Sequence, residues 1–222
     1  MSKAGVGVVF DLDGVLVDSE QLWERGWTRF AGGHGYSWTA ADTAACQGMS
    51  VGEWDRYLGE RTGQPAGAAA TDVVGVLVTA YRAGEVSLLP GARDLVEAVA
   101  ARVPVALASS APRPVIDVVM DTMGLRQFFA ATVSSAEVER GKPNPDVYVE
   151  AVRRLGIDSA GSYAVEDSGN GVRAAAAAGL AVIAVPTQRY PLDADAARRA
   201  LRVERTRDGV REALVDLLGP RR

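Results

Sequence analysis

Val8-Val9-Phe10-Asp11-Leu12-Asp13-Gly14-Val15-Leu16-Val17-Asp18 is the stretch around which this chain is organised. Its apolar opening reads as a buried strand, two carboxylates stand where that strand ends, and Gly14 lets the backbone turn away. Carboxylates this close together repel and are costly to desolvate, so the pair implies a cation or a chemical task. In an extended chain, alternation puts Asp11 and Asp13 on one side, roughly 6–7 Å apart. One carboxylate can then attack a phosphorus while the other serves the leaving oxygen. A calcium loop also begins Asp-x-Asp, but it wants a further oxygen ligand at its fifth position and Gly at its sixth. Val15 and Leu16 follow here. A merely structural pair stays open until the rest of the chain is read.

The 222 residues are enough for one α/β domain of ordinary size plus a smaller insert. A hydrophobic content of 48% describes a globular rather than a disordered chain. The net charge of −4 argues against nucleic acid or an anionic membrane as the main partner. Cys46 is the only cysteine, which rules out an intrachain disulfide and fits a reducing compartment. The start of the chain reads as neither a secretory signal nor a membrane span, so the expected location is the cytoplasm. His34 is the sole histidine, in Gly32-Gly33-His34-Gly35, which excludes multi-histidine metal sites and reads as a solvated turn. Of 24 basic residues only Lys3 and Lys142 are lysines. A chain that uses Arg almost everywhere has kept one interior Lys, as if Arg cannot do that job.

Taken in order, Asp18 or Ser19 can cap a helix through Trp23, Trp27 and Phe30, which the Gly-rich turn at 32–35 ends. Helical patterns follow over Val51–Thr62 and Asp72–Ala83, with no strand signal between 19 and 86. This segment reads as a helical insert (19–86) between two parts of a catalytic core (1–18 and 87–222). Trp23, Trp27, Trp38 and Trp54 all fall inside it, and Trp23 and Trp27 are expected in its own small core.

From Pro90 the rhythm changes. Helices over Ala92–Arg102, Val115–Met123, Pro145–Leu155 and Val172–Ala178 alternate with strands over Val103–Ala108, Ala131–Ser134, Ser162–Val165 and Ala181–Val185. A weak strand near Leu201–Val203 and a helix over Val210–Leu218 end the chain. The alternation predicts an α/β fold, a Rossmann-like parallel sheet covered on both faces with an inserted helical domain. Arg198, Arg199, Arg202, Arg205 and Arg207 read as a solvated face diluted by acidic neighbours.

In an open parallel sheet, ligands bind beyond the carboxyl ends of the strands. Those ends carry Asp11 and Asp13, then Ser109 and Ser110, then Lys142 in Gly141-Lys142-Pro143-Asn144-Pro145, then Glu166-Asp167-Ser168. Singly, each has a bland alternative as a cap or a solvated turn; convergence on one end of one sheet is the stronger reading. Asp11 and Asp167 with a backbone carbonyl offer the all-oxygen site that magnesium prefers. Lys142 adds a compact positive charge, and Ser109 with nearby amides can hold phosphoryl oxygens. Asp11 would form an aspartyl phosphate, and Asp13 would protonate the leaving alcohol and then deprotonate water.

These residues carry a resemblance. Phe10-Asp11-Leu12-Asp13-Gly14, Ser109, Lys142-Pro143 and Glu166-Asp167-Ser168 are similar, in order and spacing, to the four motifs of the haloacid dehalogenase superfamily. The insert after the first motif looks like the C1-type cap of the branch containing sugar phosphatases and β-phosphoglucomutase. The resemblance implies Asp11 as nucleophile, Asp13 as acid/base and as a magnesium ligand through its carbonyl, Asp167 as a ligand and Glu166 beside the metal. It implies Ser109 and Lys142 as phosphoryl contacts. The family's dehalogenases lack the second aspartate, so Asp13 points to phosphoryl transfer.

In the insert the chain departs from the mutases resembled, which carry a His early in the first cap helix and an Arg in a Gly-x-Ser-Arg loop. The matching positions are Trp23 and Val51. The expectation is therefore a magnesium-dependent phosphatase of a small sugar or polyol phosphate, with Glu20, Gln47, Ser50, Trp54 and Ser110 as candidate substrate contacts. A monomer suffices. The alternatives are a phosphohexomutase and, more distantly, a receiver-like or idle phosphate-binding module.

Overall fold

The computed structural model describes residues 5–46, 49–187 and 191–219, so Lys3 and the candidate Gln47 lie outside the described residues. Six parallel strands form one sheet, ordered β3-β2-β1-β4-β5-β6. They are β1 (Val8–Phe10), β2 (Val105–Ser109), β3 (Ala131–Ser134), β4 (Tyr163–Glu166), β5 (Ala181–Ala184) and β6 (Arg202–Val203). The first strand is central: Val9 is level with Ala106 on β2 and with Ala164 on β4.

Alternation along β1 explains the uninterrupted apolar run. Val8 and Phe10 join the core on one face, while Val9 joins the core on the other. Helices α7 (Asp146–Leu155), α8 (Gly169–Ala177) and α9 (Ala194–Arg199) supply Tyr148, Val172 and Ala196 to the Val9 face. The Phe10 face is covered by α5 (Ala92–Ala100), α6 (Arg113–Thr122) and α10 (Arg207–Leu218), through Leu95, Ile116 and Leu214. Each such fully buried aliphatic side chain contributes about 1.5–3 kcal/mol.

Between β1 and α5 lie four helices: α1 (Glu20–Gly33), α2 (Ala40–Cys46), α3 (Val51–Thr62) and α4 (Ala68–Arg82). Trp23, Trp27 and Trp54 pack together with ring centroids 5.8–6.3 Å apart, and Trp38 joins Trp27 at 6.0 Å. This is the expected tryptophan core, but it is continuous with the core beneath the sheet rather than separate from it. The two connections into the segment run side by side, with Val17 bridged to Leu88 and Leu89 N–H donating to Leu16 O at 2.9 Å.

Two local expectations change. Helix α2 has no hydrophobic periodicity to announce it. It forms around Asp42, which is buried and accepts hydrogen bonds from Thr39 N, Thr39 Oγ1, Tyr36, Tyr57 and Arg61. The extended geometry assumed for Asp11 and Asp13 also fails, because β1 stops at Phe10. Leu12 O accepts from Leu16 N and Val17 N, closing a tight turn that carries Asp13. Burial of Leu12, Val15 and Leu16 holds that turn down. His34 is exposed as expected, with Nδ1 2.8 Å from Phe30 O. Among the described residues, no helix is long and apolar enough to cross a membrane.

Candidate active site

One cavity at the carboxyl ends of the central strands collects Asp11, Asp13, Ser110, Ala111, Lys142, Asp167 and Ser168 from the sheet side. Ser19, Glu20, Trp23, Trp27, Thr43, Cys46, Met49 and Trp54 line it from the helical segment. Chain direction explains the convergence. Parallel strands all deliver their C-terminal residues to one edge, and β1 at the centre puts Asp11 between the other three ends.

Lys142 is buried and fully engaged. Its ammonium donates to Asp11 Oδ1 and Glu166 Oε1, both at 2.6 Å, and to Ala108 O at 3.2 Å. Glu166 is held on both oxygens: Tyr148 OH donates to Oε1 at 2.6 Å, while Asp167 N, Ser168 N and Ser168 Oγ donate to Oε2. Gly171 makes this possible, since a Cβ there would overlap the Glu166 carboxylate. Gly14, at φ +73°, likewise leaves room for the Asp167 carboxylate.

Burial raises the Asp11 carboxyl well above its ordinary range. Lys142 opposes the shift, while the charges of Glu166 and Asp13 reinforce it. Asp167 is raised well above its usual value by burial, then by Glu166 and Asp11. Burial alone would pull the Lys142 ammonium down, but Asp11 and Glu166 outweigh it and keep it charged. The site is thus short of positive charge. Carboxylate oxygens of Asp11, Glu166 and Asp167 lie within 4.8 Å of one another. Carboxylate oxygens fit a hard divalent cation, and of these three acids Asp11 and Asp167 open into the cavity while Glu166 is already held by its own donors.

Asp13 is raised by burial, against hydrogen bonds from Ser19 and Trp23. Ser19 Oγ and Trp23 Nε1, the latter at 3.0 Å, both donate to Asp13 Oδ1. Ser19 therefore precedes α1 without capping it by a side-chain bond.

Other candidates divide. Ser109 ends β2 fully buried, its Oγ accepting from Ala111 N at 3.0 Å, and the cavity wall there is Ser110 and Ala111. Glu20 and Trp54 line the cavity. Ser50 precedes α3, where its N and Oγ donate to Glu53 Oε2, and it sits against Gly141.

Three residues were not among the site contacts expected from the sequence. Trp23 read as core, and nothing in the helical spacing marks its indole N–H as a donor to Asp13. Tyr148 sits mid-helix, where its hydroxyl was the only signal. Arg207 read as part of a solvated face, yet its guanidinium donates to Val15 O at 3.1 Å and to Gly14 O, bracing the turn behind Asp13.

Comparison with known proteins agrees with this geometry. The haloacid dehalogenase-like hydrolase family matches residues 7–179. Hexitol phosphatase B of Escherichia coli K12 is 32% identical over 198 residues, covering 82% of this chain and 83% of that protein. The bifunctional riboflavin kinase/FMN phosphatase of Arabidopsis thaliana is 31% identical over 189 residues, covering 84% of this chain but 50% of that longer protein. The chain thus spans half the length of that relative. The crystal structure of CbbY from Rhodobacter sphaeroides in complex with phosphate superposes with a TM-score of 0.81 at 25% identity, over 90% of this chain and 94% of the other. With its parallel sheet, its four converging strand ends and its match over residues 7–179, the chain belongs to the haloacid dehalogenase-like hydrolases.

Proposed function

We propose that the protein is a magnesium-dependent phosphatase that hydrolyses a small sugar or polyol phosphate through a phosphorylated Asp11. The observation that carries this reading is the opening of Asp11 and Asp13 into one cavity with Lys142 and Asp167. A nucleophile, a proton-transfer group and a charge-neutralising set are what phosphoryl transfer needs, and all three are on that wall. Relatives named for hexitol, FMN and validoxylamine A 7'-phosphate phosphatase activity support the same class.

Asp11, Asp167 and the backbone carbonyl of Asp13 would hold the metal, with Glu166 beside it. When bound, the cation supplies neutralisation of phosphoryl charge among several carboxylates. Asp11 attacks phosphorus as the ester bond breaks, and Asp13 passes a proton to the departing oxygen. Asp13, now a carboxylate, takes a proton from the water that releases phosphate and regenerates Asp11. Lys142 holds Asp11 in line and offsets the charge of the transferring group.

Residues 19–86 act as a cap over a core of 1–18 and 87–222, joined through the paired linkers at Val17 and Leu88. The enzyme works as a cytoplasmic monomer, for which the single buried thiol Cys46 is suited. A mutase would need a second phosphate held from the cap. The described cap residues along the cavity include no Lys, Arg or His, and Trp23 stands where the mutases resembled carry His.

The test is a magnesium-dependent phosphate-release screen over sugar, polyol and short-acid phosphates, repeated with Asp11→Asn. Release by the wild type and none by a folded Asp11→Asn variant is the expected result; sustained release by that variant would sink the nucleophile assignment. Conversion of β-glucose 1-phosphate to glucose 6-phosphate faster than free phosphate appears, with catalytic bisphosphate present, would favour the mutase.

A further inference from the structure

We propose that Trp23 is a positioning residue for proton transfer: its indole N–H ties Asp13 Oδ1, so that Oδ2 is the atom that carries the proton to the leaving oxygen. The inference rests on the phosphatase reading above. Asp13 lies in a turn rather than in β1, so strand hydrogen bonding does not orient its side chain. Orientation comes instead from the two donors that converge on one oxygen, Ser19 Oγ and Trp23 Nε1 at 3.0 Å.

A carboxylate oxygen has two lone-pair directions, and these donors occupy both on Oδ1. A proton on Asp13 therefore resides on Oδ2. The indole is suited to this task because it donates and has no acceptor nitrogen, so it cannot take that proton itself. Trp23 is in turn fixed by Trp27 at 5.8 Å and by Trp54 at 6.1 Å. The aromatic cluster of the helical segment thus sets the direction of an acid that belongs to the sheet. As the bond from Asp11 to phosphorus forms and the ester P–O bond breaks, the Oδ2 proton moves to the departing alkoxide. Oδ1 stays held throughout.

Leaving-group dependence tests this. An alkyl phosphate needs its leaving oxygen protonated, whereas p-nitrophenyl phosphate departs as a stable phenolate. The experiment measures kcat/KM, which reports the step that phosphorylates Asp11, for p-nitrophenyl phosphate and for the fastest ester of a hexose and hexitol 6-phosphate panel. Trp23→Phe keeps the ring and deletes the donor. The expected result is a fall of about tenfold in the alkyl-to-aryl ratio of kcat/KM. Ser19→Ala, which leaves the aromatic cluster untouched, should move the ratio in the same direction and covers the case of a misfolded Trp23 variant. Equal losses on both esters, or an unchanged ratio in both variants, would overturn the proposal. A wild-type protein idle on both esters would overturn the phosphatase reading and this inference with it.

Discussion

Lys142 Nζ lies 2.6 Å from Asp11 Oδ1, across 131 residues of chain, and the same ammonium lies 2.6 Å from Glu166 Oε1. The pairing puts one point charge between two buried carboxylates. A planar guanidinium cannot occupy that position without displacing one of them. Lys142→Arg should therefore lose at least about 100-fold in kcat while remaining folded. Circular dichroism and steady-state kinetics decide it, and near-native rates would reduce the scarcity of lysine to compositional drift.

Gly14 combines positive φ with contact against Asp167. Gly14→Ala adds backbone strain of about 1 kcal/mol or more and pushes the Asp167 carboxylate aside. Expected outcomes are a lower melting temperature and at least tenfold weaker magnesium binding by calorimetry. Unchanged magnesium affinity would show that Asp167 is not needed for the cation.

Asp42 tests the stability of the helical segment rather than its chemistry. Burial alone would raise its pKa, but hydrogen bonds from Thr39, Tyr57 and Tyr36 outweigh burial and hold it below the ordinary carboxylate range. A depressed folded pKa contributes stability that is present above the unfolded value near 3.8 and is lost as pH falls below it. Wild-type protein should lose melting temperature on acidification below about pH 4, and Asp42→Ala should already be less stable at pH 7, by about 2–4 kcal/mol. Equal stability of the two proteins at pH 7 would remove Asp42 as the organiser of α2.

Arg207 reaches from α10 to the carbonyls of Gly14 and Val15. Arg207→Met leaves those carbonyls without this donor and frees the turn that carries Asp13. We expect kcat to fall about tenfold with KM within about twofold, because substrate contacts are untouched. An equal rise in KM would place Arg207 in binding instead.

The strands were legible because a doubly buried parallel strand must be apolar along its whole length. Val8-Val9-Phe10 and Val105-Ala106-Leu107-Ala108 therefore announce themselves. Helix α3 was legible over Val51–Thr62, whereas α2 was not, because Asp42 organises it through polar bonds that leave no periodic trace. The predicted acids and Lys142 converge because parallel topology sends every strand end to one edge.

By itself, then, the sequence determined the parallel sheet, the run of helices after β1 and the residues that gather at the strand ends, all of which follow from local pattern and chain direction. Which oxygen of Asp13 is tied, that Ser110 rather than Ser109 faces the cavity, that Tyr148 holds Glu166 and that Arg207 braces Gly14 were decided only by tertiary structure. The physical reason is reach. A hydrogen bond is specified within a few tenths of an ångström by groups tens or hundreds of residues apart, and no periodicity along the chain encodes that distance.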